Sequence, residues 1–192
     1  MTVPRADNLR DEALRKVGRN VVNLQKMERA LKLLIVLSDL KGPISELKGV
    51  YEKRLADVEK LTMGRLANKA VDILYSAADT DAEAPDDVEG GWVAYSFRIE
   101  GGADRKKATR KALSFVVRER NRLVHKMLGE FDSASVENCR ALINLLDQQD
   151  ERITPHFKRI MGWLRFLHEC RMNLPEVLED GKLLERDNEK RI

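Results

Sequence analysis

Apolar residues recur every three to four positions along most of the chain, which is the period of a helix with one buried face. Such a stripe predicts a first helix over residues 8–40, ended by Lys41-Gly42-Pro43. A second stripe predicts a helix over 44–75, with Gly64 as its weak point. The first stripe is formed by Val17, Val21, Leu24, Leu31 and Ile35.

The pattern changes after residue 76. Residues 77–91 are crowded with acidic side chains around Pro85, which indicates a loop. Residues 92–100 are rich in aromatic and β-branched side chains and predict a short extended segment, for which no partner strand is evident. A basic helix is predicted over 104–128, with Asp104 as its cap. A last helix starts near Ser133 or Ser135 and ends around 173, and we expect Pro155 to kink or split it.

These elements predict an all-α protein, an antiparallel bundle of four to five helices with a short extended segment before the basic helix. Composition agrees, since charged residues make up 35% of the 192 residues and aromatic residues only 5%. We expect one helical domain over residues 1–178 and a charged, flexible tail over 179–192.

The sequence also limits location and cofactors. No apolar run approaches the roughly 18 residues that span a bilayer. Charges occur throughout the first sixteen residues, unlike a signal peptide. We therefore expect a cytoplasmic protein without a membrane partner. Cys139 and Cys170 lack the spacing of a metal site, and we expect neither a metal nor a cofactor.

Positive charge is concentrated on the third predicted helix. Between Asp104 and Met127 there are nine basic and two acidic residues, a net charge of +7, whereas the whole chain carries +3 and the remainder therefore −4. Such a helix is typical of a surface that binds a phosphate polymer; the alternative is a solvated face neutralised by the acidic loop. Residues of this helix that we expect to bind RNA are Lys106, Lys107, Arg110, Lys111, Arg122 and Lys126.

Candidate chemistry lies at the end of the same helix, in the segment from Arg118 to His125. An arginine, an amide and an imidazole within two helical turns could cleave RNA without a metal, because the imidazole can move protons and the arginine can stabilise charge on phosphorus. On a helical wheel Arg118, Asn121 and His125 share a face, while Arg120 lies about 140° from His125.

Arg120-Asn121 followed by His125 resembles the Arg-x(4–6)-His signature of the HEPN superfamily (higher eukaryote and prokaryote nucleotide-binding domains). The resemblance implies a helical bundle, cleavage of RNA through 2′-hydroxyl attack, and a homodimer that brings two signatures together. It also implies a role as a toxin or phage-defence effector, with an antitoxin or other regulatory protein as a possible partner. Both Arg118 and Arg120 fit the signature spacing. Asn121 directly after Arg120 favours Arg120, whereas the helical wheel favours Arg118. We rank Arg120 first, because its long side chain can reach around the helix, and the other arginine would bind a flanking phosphate.

One further residue is a candidate for orienting this site. Glu28 falls near the centre of the first apolar stripe, where a carboxylate needs a partner. It could orient Arg118, Arg120 or His125, form an ordinary interhelical ion pair, or lie at a partly exposed edge of the stripe. Asn20, at the margin of the stripe, is a weaker candidate. The alternatives to a ribonuclease are a non-catalytic HEPN-like module that binds nucleotide, RNA or protein, and a helical scaffold.

Overall fold

The structure, a computed structural model, describes residues 6–77 and 91–172. Most of the acidic loop and the predicted tail therefore lie outside the described residues. Within them five α-helices and one two-stranded sheet confirm the predicted all-α bundle. The elements are α1 (Ala6–Leu37), β1 (Asp39–Pro43), α2 (Leu47–Glu59), α3 (Met63–Leu74), β2 (Trp92–Ser96), α4 (Ala103–Arg122) and α5 (Val136–Met172).

Contacts between helices give their directions. Lys32 on α1 reaches the Glu59 carbonyl of α2, and Arg54, earlier on α2, reaches the Ile35 carbonyl, so α1 and α2 are antiparallel. By the same criterion α3 and α4 are antiparallel, and so are α4 and α5. The polar contacts between α1 and α5 advance together along both helices. These two helices are therefore parallel, and they form the most extensive helix pair of the bundle.

The core is a continuous set of apolar side chains from all five helices. Its centre includes Met27, Leu34, Leu66, Val116, Leu123, Leu146 and Ile160. Side chains of this kind each contribute about 1.5–3 kcal/mol on burial, so the amphipathic stripes hold the helices together. In the described part of the chain, no helix is both long and apolar enough to cross a membrane.

Two helix boundaries differ from the predictions. The first helix ends at Leu37 and not at Leu40, because the chain then enters β1. The predicted second helix is two helices, α2 and α3, and the break lies before Gly64. Thr62 caps α3, with its hydroxyl accepting a hydrogen bond from the Arg65 N–H at 3.5 Å. The cap satisfies a backbone donor that a continuous helix would pair internally.

The extended segment does have a partner strand. β2 pairs in antiparallel register with β1, with Leu40 opposite Tyr95 and Pro43 opposite Trp92. The two-stranded sheet lies at the end of α1, where Arg98 donates a hydrogen bond to the Ser38 carbonyl at 2.9 Å. A cation at the carbonyl end of a helix is electrostatically favourable, so this contact ties the sheet to the bundle.

Pro155 lies within α5 without splitting it. The ring is exposed, while Ile153 and Ile160 on either side are buried in the core. Burial on both sides offsets the missing backbone hydrogen bond. The predicted cap of α4 is also wrong. Its N-cap is Gly102, and Asp104 lies in the first turn, where its charge favours the helix dipole.

Candidate functional site

The end of the basic helix departs from α-helical geometry. After α4 the chain continues from Leu123 to Met127 as a π-helical turn, with the Leu128 N–H bonded to the Leu123 carbonyl at 3.1 Å. Leu123 and Met127 are buried and fix the turn to the core. Arg120 and Asn121 therefore lie in the α-helix, and His125 lies in the π turn. Single π turns of this kind occur often at functional sites.

The π turn changes the directions of the two candidate arginines. A turn closed by i→i+5 bonds advances about 80° per residue, against about 100° in an α-helix. Applied to the three steps from Arg122, this brings Arg120 from about 140° to about 80° from His125, and moves Arg118 from about 20° to about 80°. The advantage of Arg118 on a regular wheel is therefore largely lost.

The two arginines have different surroundings. Arg118 is exposed, whereas Arg120 is half-buried and donates a hydrogen bond to the Asn121 side-chain oxygen at 3.3 Å. Arg120 lines a groove of about 610 Å³ between α1, α2 and the end of α4, which His125 does not line. The floor of the groove is apolar and its charged residues are of both signs. Those charged residues are Glu28, Arg29, Lys32, Glu59 and Arg120.

Glu28 does not face the core, as its position on the wheel suggested. Its side chain is 29% exposed and pairs with Lys32 of the same helix at 3.5 Å, while the neighbouring Met27 is fully buried. The stripe was misplaced because Val17 and Val21 on it are only half-buried. Glu28 shares the groove with Arg120, so its role in orienting that arginine remains a prediction.

A buried polar chain links three helices beside the signature. Gln149 of α5, with no exposed surface, donates to the Glu119 backbone carbonyl at 2.9 Å and to its carboxylate at 3.2 Å. Its oxygen accepts a hydrogen bond from Asn20 of α1 at 3.1 Å. Arg152 donates to the same Glu119 carboxylate at 3.3 Å. The Glu119 carboxylate is therefore buried between Arg118 and Arg120 in the chain and held by Gln149 and Arg152 of α5, with Asn20 of α1 bonded to Gln149.

Apart from Asn20, the residues of this buried polar chain were not predicted from the sequence, and Asn20 was assigned to the wrong place. Asn20 is fully buried, but it bonds to α5 and lies outside the lining of the groove. A signal was present at Glu119, an acidic residue within a basic run. Its partners could not be identified, because they depend on how α4 and α5 are aligned.

The six predicted RNA-binding residues divide into two groups. Lys106 and Arg110 pair with Asp72 of α3 at 3.3 and 2.7 Å in partly exposed ion pairs, and their binding of RNA stays a prediction. The hydrogen bond from Arg110, with a smaller contribution from Lys106, lowers the pKa of the Asp72 carboxyl. Asp72 was not predicted as a partner of this helix, and the acidic loop, the neutralising partner in the alternative prediction, lies mostly outside the described residues.

The other basic side chains form a row along the outer face of α4. Lys107, Lys111, Arg118 and Arg122 recur there at helical spacing, and within the described residues none of them has an ion pair. Arg122 is half-buried and the other three are exposed. The row is about 22 Å long at 1.5 Å per residue. Lys126 is exposed further along the chain. This row could follow a nucleic-acid backbone toward the π turn.

His125 is exposed, and within the described residues its side chain makes no hydrogen bond or ion pair. An exposed imidazole can exchange protons with a bound substrate. His156 instead packs against Phe115, and burial, with the charge of Arg159, lowers its pKa. Both cysteines are free, and across residues 6–77 and 91–172 no group of three potential metal ligands is found.

Comparison of the chain with protein-family models, curated proteins and solved structures found no match.

Proposed function

We propose that the chain is an endoribonuclease that cleaves RNA without a metal ion. The observation that carries the proposal is the position of His125, exposed on a π turn directly after Arg120 and Asn121. The same helix presents the row of four cations. Together they supply a group that moves protons, a group that stabilises charge and a surface that attracts phosphate.

In the proposed reaction His125 accepts the proton of a 2′-hydroxyl, whose oxygen attacks the adjacent phosphorus. Arg120 or Arg118 stabilises the charge on the phosphorane, and Asn121 positions the phosphate or the imidazole. The bond from phosphorus to the 5′-oxygen breaks, and that oxygen takes a proton from a second imidazole. The products are a 2′,3′-cyclic phosphate and a 5′-hydroxyl.

The need for a second imidazole favours a homodimer with facing signatures. Val124, directly before His125 in the chain, is 40% exposed. Apolar side chains exposed next to a candidate site are typical of a contact surface. From the HEPN resemblance we also propose a cytoplasmic toxin or defence effector, with an antitoxin or other regulatory protein as a further partner.

A second function is supported by the groove. Its volume of about 610 Å³ lies within the usual range of small-molecule sites. Arg120 lines it and His125 does not. In this alternative the chain is a non-catalytic module that binds a nucleotide, RNA or a protein partner, and His125 has no chemical role.

The deciding experiment is incubation of the purified chain with total RNA in EDTA. We expect cleavage products that end in a cyclic phosphate, and their loss by at least about 100-fold in His125→Ala, the usual effect of removing an acid–base group. His168→Ala is the matched control, since His168 is also exposed but lies on α5. Equal cleavage by His125→Ala would refute the mechanism, and RNA or nucleotide binding without cleavage would support the non-catalytic module.

A further inference from the structure

The surface along which α4 and α5 meet combines aromatic rings with cations, and we call it the seam. At its centre the rings of Phe115 and His156 are 5.5 Å apart and inclined by 48°. Both side chains are half-buried, so each ring keeps an accessible part. The seam is lined by Lys111, Phe115 and Arg118 of α4 and by Arg152, His156 and Arg159 of α5.

Helical spacing places the cations along both edges of the ring pair. Lys111 and Arg118 lie four residues before and three after Phe115, on the exposed side of α4. Arg152 and Arg159 lie four before and three after His156 on α5. Residues three or four apart are neighbours on a helix surface. Each ring therefore lies between two basic side chains of its own helix.

The acidic groups near the seam leave its charge positive. Glu119 is buried beneath it and uses its carboxylate on Gln149 and Arg152. Glu151 is exposed on the outer side of α5. Four cations against these two carboxylates leave a net positive surface. His156 contributes an aromatic ring to the seam and less positive charge than an ordinary histidine, because burial and the charge of Arg159 lower its pKa.

We propose that the seam binds single-stranded RNA, with a base stacked on the Phe115–His156 pair and the flanking phosphates held by the arginines and Lys111. Proteins that bind single strands combine a basic groove with aromatic side chains on which bases stack. A recessed ring pair excludes duplex RNA, whose bases are already paired and stacked. Each edge, about 10 Å from first to last cation, spans roughly two to three nucleotides.

The seam extends the RNA surface beyond the row on α4 and thus rests on the proposed function. It adds a second helix to RNA binding and a contact with a base. The π turn lies about 15 Å along α4 from Phe115, at 1.5 Å per residue. RNA in the seam therefore lies to one side of the cleaved phosphate, and its loss should affect binding more than the chemical step.

The test measures binding of a labelled oligouridylate with methylated 2′-hydroxyls, which cannot undergo 2′-hydroxyl attack. Arg159→Glu should raise the Kd about 10-fold and reduce its salt dependence. Arg165→Glu is the matched control, because Arg165 is exposed on the same helix and six residues further along, about 120° away from the seam. It should change the Kd less than about twofold. Equal effects of the two variants would overturn the proposal.

The stacking contact is tested with ring variants. Phe115→Leu keeps an apolar side chain and should weaken oligouridylate binding about fivefold or more, while binding of an abasic oligonucleotide stays unchanged. His156→Leu should do the same and serves if Phe115→Leu fails to fold, as checked by circular dichroism. Equal losses for the two oligonucleotides would refute base stacking.

The outcomes also separate the seam from the proposed function. If RNA cleavage depends on His125 but Arg159→Glu and Arg165→Glu bind RNA equally well, RNA binding by the seam is refuted and the proposed ribonuclease is supported. If RNA binding depends on the seam but the protein does not cleave RNA, the proposed ribonuclease is refuted and RNA binding by the seam is supported.

Discussion

Replacing Gln149 with leucine tests whether the buried polar chain holds the signature helix in place. The side chain has no exposed surface and is central to that chain. Leucine is similar in size and keeps the apolar contacts. It removes the donor to the Glu119 carbonyl and carboxylate and the acceptor for Asn20. The substitution therefore isolates hydrogen bonding from packing.

The expected loss of stability follows from these three bonds. A neutral hydrogen bond contributes about 1 kcal/mol and a bond to a charged group about 1.5–3 kcal/mol, for a sum of about 3–5 kcal/mol. The apolar side chain recovers part of this on burial, so we expect about 3 kcal/mol. That is a large share of the roughly 5–15 kcal/mol that stabilises a typical domain. It corresponds to a fall in Tm of about 6–12 °C.

The assay is urea unfolding followed by circular dichroism, with Gln148→Leu as the control. Gln148 is the preceding residue and is exposed, so the same substitution there should change stability by less than about 0.5 kcal/mol. An unchanged m-value would show that both variants unfold in the same way. Equal midpoints for Gln149→Leu and Gln148→Leu would show that the polar chain contributes nothing, and the explanation for the buried Glu119 would fail.

Two further predictions concern the cap of α3 and the histidine of the seam. Thr62→Ala should lower the free energy of unfolding by about 0.5–1 kcal/mol, because its hydroxyl accepts the Arg65 N–H at 3.5 Å. Ser45→Ala is its control in the same urea titration and should leave that free energy nearly unchanged, because Ser45 is exposed and its hydroxyl has no hydrogen bond within the described residues. Because the folded-state pKa of His156 lies below its ordinary value of 6.5, stability should fall as pH drops below about 6.5, and His156→Phe should remove that fall. A titration of His156 by NMR with a midpoint above 6.5 would contradict this.

The bundle could be predicted from the sequence because its helices are long and strongly periodic. A stripe such as the one on α1 repeats over many turns, so errors at single positions do not change the element. The rotation of α1 about its own axis was predicted less well, as Glu28 shows. The helix was correct, but the centre of its buried face was set by Val17 and Val21, which are half-buried. Which face of a helix is buried depends on the helices that pack against it, and the sequence alone does not identify those helices.

The missed strand pairing has a similar cause. β1 contains Lys41, Gly42 and Pro43, which are typical of a turn, and it pairs only because β2 lies beside it. Short strands gain their stability from cross-strand contacts, so local preference indicates them poorly. The break before α3 was misplaced for a local reason. Gly64 was the conspicuous weak helix former, yet the cap at Thr62 ends the turn between α2 and α3.

The candidate site combines both kinds of information. His125, Arg120 and Asn121 could be identified from spacing, since they are close along the chain. The π turn that sets their directions could not, because it is stabilised by packing of Leu123 and Met127 in the core.

The π turn bears directly on whether Arg118 or Arg120 would stabilise the phosphorane in the proposed reaction. On a regular helix Arg118 would be the natural partner of His125, and Arg120 would face away. With the widened turn the two differ little in direction, so their surroundings become decisive. Arg120 lies half-buried and bonded to Asn121, which restricts its side chain, whereas Arg118 is exposed in the row that could contact the RNA backbone. A restricted guanidinium loses less freedom when it stabilises a reacting phosphate. In the proposed reaction, Arg120 is therefore the better candidate for the chemical step and Arg118 for RNA binding.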